Sequence, residues 1–176
     1  SMEILSFLRQ NGREGEIIHG SSEYIAGRIM SSGTGPSASS PFIVPLPEFD
    51  FGGVRLGVIG QPSDWLISSG VDYARAKEKL GLELVDIPIE ELIDDVNGAD
   101  VDLRSFEGSE AIFKSLQGIV GRYRLSGLTL RCFDLLDSVG NTGCLALARL
   151  NASGIPAACE GDIPALLTMM VARRLT

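Results

Sequence analysis

Positive charge and aromatic surface are both scarce in this chain: its 176 residues include 15 Lys or Arg against 23 Asp or Glu, only 6% are Phe, Trp or Tyr, and there is one Trp and one His. The formal charge of -8 and an isoelectric point near 4.6 lack the basic footprint that neutralises phosphate backbones, so no nucleic-acid partner is expected. A nucleophilic triad would have to use His19, which lies far in sequence from every loop considered below. No G-x-S-x-G elbow accompanies it, and hydrolase chemistry is disfavoured. Cysteine is sparse and odd in number. Cys132, Cys144 and Cys159 have no C-x-x-C spacing and read as free thiols of a reducing, cytoplasmic compartment. Mean hydropathy is +0.19, yet no run approaches the ~18 consecutive apolar residues of a membrane span, so no membrane partner is expected. The start, Ser1-Met2-Glu3, has neither a basic n-region nor a small-residue cleavage site, and a Ser ahead of Met reads as a tag remnant.

What is present is ordinary globular material, 44% hydrophobic and 22% charged, enough for one α/β domain or one domain with an attached arm. Ile4, Leu5, Phe7 and Leu8 fall at helical spacing, Asn11-Gly12 stops that helix, residues 16–19 read as a short strand, and 23–30 as a second helix. A Ser/Gly/Pro-rich stretch over 31–40 cannot bury enough surface to offset its ordering entropy. Pro41, Pro45 and Pro47 stiffen the segment that follows. These features divide the chain into an N-terminal helix-strand-helix arm with linker, residues 1–52, and a main domain, residues 53–176.

From Val54 onward strand and helix patterns alternate. Strands are expected over 54–60, 82–88, 128–133 and 155–159. Helices are expected over 71–80, closed by Gly81, and over 89–96, 109–123, 143–150 with Asn141-Thr142 as its cap, and 163–175. Such alternation implies right-handed crossovers: a doubly wound, Rossmann-like α/β fold with a mainly parallel sheet and helices on both faces. Ligands of such sheets sit outside the carboxyl ends of the strands, which directs attention to the segments after Ile59, Phe133 and Cys159.

Three groups of residues there can carry chemistry. Glu160-Gly161-Asp162 puts two carboxylates at a strand-to-helix junction, a donor set for a hard divalent cation, while Asp162 suits equally the cap of the last helix. Ser63, Asp64 and Trp65, after the first strand, could meet sugar hydroxyls and the face of a sugar ring; Trp65 could instead be packing. Asp134 either adds a carboxylate to the same crevice or ends its strand in a turn.

Three stretches carry a resemblance: residues 15–20, GEIIHG; residues 56–67, LGVIGQPSDWLI; and residues 154–166, GIPAACEGDIPAL. With them the chain resembles the central region of the L-fucose/L-arabinose isomerase superfamily, in the branch of fucose isomerase-like proteins. The resemblance implies the second domain of a three-part subunit in a cytoplasmic homo-oligomer that interconverts an aldose and a ketose. It implies Mn²⁺ held by acidic residues and a histidine of a further domain, with Glu160 and Asp162 matching the family's acidic motif; Asp134 is the nearest candidate in this segment for a further acidic metal ligand. Glu160 and Asp162 are then the catalytic pair, one ligating and one acting as base, and Ser63, Asp64 and Trp65 contact the monosaccharide. Alone, such a fragment is expected to be inactive. The other reading of the same residues is a non-catalytic α/β module binding a sugar or nucleotide through residues 61–65.

Overall fold

The computed structural model describes residues 2–31 and 50–175. From residue 32 on, the expected Ser/Gly/Pro-rich stretch lies outside them, as do Pro41, Pro45 and Pro47. Two compact units are distinguished, Ser1–Glu48 and Phe49–Thr176.

In the first unit, helices α1 (Met2–Gln10) and α2 (Ser22–Met30) flank an irregular segment. The strand expected over 16–19 does not form. A strand is stable only when paired, and among the described residues no strand pairs with this segment. Glu16 instead receives both of its carboxylate bonds, 2.6 and 2.7 Å, from Arg28 of α2.

The second unit begins ahead of Gly53. Phe51 is buried, its N–H bonds the Leu80 carbonyl at 3.3 Å, and the Arg174 guanidinium lies 5.3 Å from its ring centroid. Strands β1 (Arg55–Ile59), β2 (Glu83–Ile87), β3 (Gly127–Leu130) and β4 (Ala157–Cys159) form one parallel sheet in the order β2-β1-β3-β4. Helices α3 (Tyr73–Leu80), α4 (Ile89–Asn97), α5 (Phe106–Tyr123), α6 (Phe133–Val139), α7 (Cys144–Ala152) and α8 (Ile163–Leu175) complete it. Strand side chains alternate between two cores. Ile59, Leu128, Leu130 and Ala157 pack with α4 to α7; Leu56 and Ala158 pack with Ala76 of α3 and Leu166 and Met170 of α8. The doubly wound α/β expectation is the observed fold. Among the described residues no helix is long and apolar enough to cross a membrane.

Two expectations within this unit are corrected. The third strand ends at Leu130 instead of Phe133, and the next residues enter α6, a seven-residue helix. The apolar run before Asp134 is too short for its period to separate strand from helix. Asn141 does not cap α7, whose cap position is Gly143 with no side-chain bond. Its amide reaches sideways, donating to the Leu103 and Ser105 carbonyls at 2.7 and 3.1 Å and so tying the start of α5 to the loop before α7.

Edge strand β4 is held from outside by one side chain. The Asn151 amide donates to the Ala157 carbonyl at 2.8 Å and accepts from the Ala157 N–H at 2.9 Å, imitating a neighbouring strand for one residue, and also donates to the Leu147 carbonyl. Asn151→Ala leaves these partly buried groups without partners. It is expected to lower unfolding free energy by about 1–3 kcal/mol in urea titrations followed by circular dichroism. A change near zero would show that water replaces the amide.

Candidate functional site

The strand order places the switch point between β1 and β3, where the crossover from β1 to β2 and that from β3 to β4 run in opposite directions. The carboxyl ends there are joined by an unusually close approach of two turns. A Cβ on Gly161 would lie 2.4 Å from the Gln61 carbonyl oxygen and 2.9 Å from Pro62 Cα, and Gly161 has φ of 65°. Only glycine meets both conditions. The flanking non-glycine residues also adopt left-handed backbone, Gln61 at φ 69° and Glu160 at φ 61°. Such conformations persist only where surrounding contacts hold them. Here the buried Ser63 hydroxyl donates to the Glu160 carbonyl, Ser69 Oγ donates to the Ser63 carbonyl at 2.7 Å, and the Gly161 N–H donates to the Leu130 carbonyl at 3.2 Å.

Beside this junction a groove of about 360 Å³ opens at the ends of β1, β2 and β3, lined among others by Gln61, Asp86, Glu90, Arg131 and Asp134. Arg131, which the sequence reading passed over, organises its rim. Its guanidinium bridges Asp64 at 3.1 Å and Asp134 at 3.1 Å and lies 4.7 Å from the Trp65 ring centroid. Phe133 stands beside Trp65 with centroids 6.1 Å apart, and both rings are about half exposed. On the β2 side the Tyr73 hydroxyl donates to Asp86 at 2.6 Å; burial, and after it this bond, push the Tyr73 phenol well above its ordinary value.

Glu160 faces different chemistry. Its Oε1 receives the Cys132 thiol at 2.9 Å and the Cys159 thiol at 3.4 Å, the two sulfurs are 3.0 Å apart, and its Oε2 is buried with no partner. Cys144, the first residue of α7, completes a set of three sulfurs mutually within 4.8 Å. Burial, and then the bonds to Cys159 and Glu160, hold the Cys132 thiol far above its usual value; burial likewise raises Cys159. The expected free thiols are present, but not scattered: topology gathers them, because β3 and β4 end side by side and α7 begins against them.

The residues singled out from sequence therefore part company. Asp162 caps α8, accepting the Ala165 N–H at 2.9 Å. Asp134, in the first turn of α6, is held by Arg131, and Glu160 by the thiols. Ser63 is spent inside the loop, whereas Asp64 and Trp65 are exposed on the rim. His19 belongs to the first unit. Manganese takes about six oxygen or nitrogen donors. These three carboxylates do not fit that ion as a set: each is committed to a different partner, and the donors gathered at Glu160 are sulfur.

No family model matches the chain. It is similar to a sulfoquinovose isomerase of Alkalicoccus urumqiensis, 23% identical over 143 residues that cover 70% of this chain. The chain spans about a third of that protein's length, 32%. The likeness reaches a sugar isomerase and does not single out the fucose/arabinose branch expected from sequence.

Two outcomes test this geometry. Gly161→Ala is expected to cost about 1–3 kcal/mol, since the new methyl meets backbone that cannot move aside, and a neutral urea-unfolding result would show that the two turns are not pressed together. For Tyr73, the folded-state value lies above the unfolded one near 10, so the folded chain retains the proton longer. Its contribution is complete below pH about 10 and is lost as pH rises further. Tyr73→Phe should flatten that part of the stability-pH curve; an unchanged slope would assign the alkaline loss to other groups.

Proposed function

We propose that this chain is the sugar-holding α/β domain of an aldose-ketose isomerase, with the groove beside β1 and β3 receiving the open-chain monosaccharide. The likeness to a sugar isomerase carries this reading, and the chemistry of the groove supports it. Sugars bind proteins through an apolar ring face and a few oriented polar groups. Trp65 offers the face, while Asp64 and Asp134 accept hydroxyl hydrogens and Arg131 donates between them.

The charge balance narrows the substrate. Arg131 is already paired with two aspartates, and Asp86 and Glu90 add further negative charge along the groove. A sulfonate or phosphate would meet net repulsion, so the groove suits a neutral polyol chain. The work of these residues is binding and orientation. Arg131 fixes both carboxylates before the sugar arrives, which reduces the entropy lost when C1 and C2 are aligned for proton transfer. The base for that transfer, and any manganese, belong in this reading to parts of the enzyme beyond this chain's residues. The whole protein then works in the cytoplasm as a homo-oligomer.

Trp65 is the only tryptophan, so intrinsic fluorescence reports on the rim directly. Titration with a panel of neutral aldoses and ketoses is expected to give a saturable emission change, with Asp64→Asn or Asp134→Asn weakening it about tenfold. In the intact enzyme, the same substitutions should raise KM for the interconverted sugar more than they lower kcat. Emission indifferent to every sugar would overturn the groove as the binding site. Absence of any aldose-to-ketose conversion by the intact protein would overturn the isomerase reading.

A further inference from the structure

We propose that Cys132, Cys144, Cys159 and Glu160 form a binding site for a thiophilic divalent cation of the zinc class, one that pins the ends of β3 and β4 to the start of α7. This is independent of the sugar groove. Four ligating groups come from three elements: Cys132 follows β3, Cys159 ends β4, Glu160 follows it, and Cys144 opens α7. Their sulfurs lie within 4.8 Å of one another, the closest pair at 3.0 Å. Two thiolates on a tetrahedral ion with bonds of about 2.3 Å stand roughly 3.8 Å apart, so rotamer adjustments of under about 1 Å bring them to that spacing.

The second observation is the orphaned oxygen. Glu160 Oε2 is buried without a hydrogen bond beside these sulfurs. Burying half a carboxylate in this way is costly unless something answers its charge. An ion there does so, and this oxygen supplies its fourth ligand bond. The donor set decides which ion: three sulfurs and one carboxylate oxygen match a tetrahedral zinc-class cation and reject magnesium, calcium or manganese, which prefer oxygen. The left-handed backbone at Glu160, held by Ser63 and by the fit of Gly161 beneath Gln61, fixes the position of this ligand.

Access and charge are also provided. Cys144 is exposed and offers the entry point, while Cys132 is buried at the floor. Helix α7 opens at Cys144 with no side-chain cap, so its positive end offsets part of the negative charge that three metal-bound sulfurs and a carboxylate would carry. On binding, three S–H bonds exchange for three metal–sulfur bonds, the three protons pass to solvent, and no electron is transferred.

Anaerobic titration of the reduced chain with Co²⁺ tests the site. One ion per chain is expected, with intense thiolate-to-cobalt charge transfer and tetrahedral d–d bands, displaced by Zn²⁺, and with a zinc-dependent rise in Tm. Replacing the buried Cys132 could unfold the chain, so the informative variants are Cys144→Ser, at an exposed position, and Glu160→Gln, which keeps its volume. Each should weaken Co²⁺ by about tenfold or more while the metal-free chain remains folded by circular dichroism. A weak octahedral spectrum, absence of binding, or zinc stabilisation undiminished in Cys144→Ser would overturn the proposal. So would a Cys132–Cys159 disulfide that forms in air equally fast with and without equimolar zinc, which would make the pair redox-active instead.

Discussion

At Gly161 the turn after β4 meets the loop after β1 at a distance no side chain tolerates, and the rest of the carboxyl edge follows from that contact. Because the two turns touch, the loop after β1 must cross the end of β3, and Gln61 and Glu160 are both forced into left-handed backbone. That strain is held by a short chain of buried hydroxyl-to-carbonyl bonds through Ser63 and Ser69. What the fold gains is placement. Asp64 and Trp65 are lifted onto the exposed rim, while Glu160 is turned inward to the thiols.

The acidic groups are separated by what each finds nearby. Arg131 draws Asp64 and Asp134 to itself, the bare amides of α8 draw Asp162, and the thiols donate to Glu160. At Asp134, Asp162 and Glu160 each solution satisfies a polar group that would otherwise be costly in a partly buried place, whereas Asp64 remains exposed. Opposition of like charges adds to the effect, since carboxylates without a cation between them repel. The outcome is two chemically distinct compartments: an oxygen-rich, net-negative rim organised by one guanidinium, and a sulfur pocket whose Glu160 Oε2 has no hydrogen-bond partner.

The main domain was legible because its signals are local. Gly81 closes α3 in left-handed backbone, Asp162 opens α8, and the β1 run from Arg55 to Ile59 is too apolar for an exposed segment. Alternating strands and helices then restrict the topology to few arrangements. What sequence could not reveal were relations between distant residues. Asn141 looked like a cap because Asn precedes a helix, but its amide bonds carbonyls 36 and 38 positions earlier. Cys132, Cys144 and Cys159 have unremarkable spacing, and only the adjacency of β3, β4 and α7 makes them neighbours. Arg131 carried no motif at all, although a cation following an apolar strand, three residues before an aspartate, was a signal that could have been weighed.

Arg131 and Cys132 are consecutive, and this links the two compartments mechanically. As β3 ends, one side chain goes to the rim, where it holds Asp64, Asp134 and the Trp65 ring, and the next goes to the sulfur pocket beside Cys159 and Glu160. A backbone fixed at one of these residues is fixed at the other, because a single planar peptide joins them. Glu160 acts in the same way from β4, its side chain among the thiols and its carbonyl bound to Ser63 at the root of the Trp65 loop. The rim is therefore no more rigid than the pocket beneath it. A groove that must align a flexible polyol gains from every constraint on its floor, and gathering three thiols and a carboxylate there makes sense as a means of fixing it.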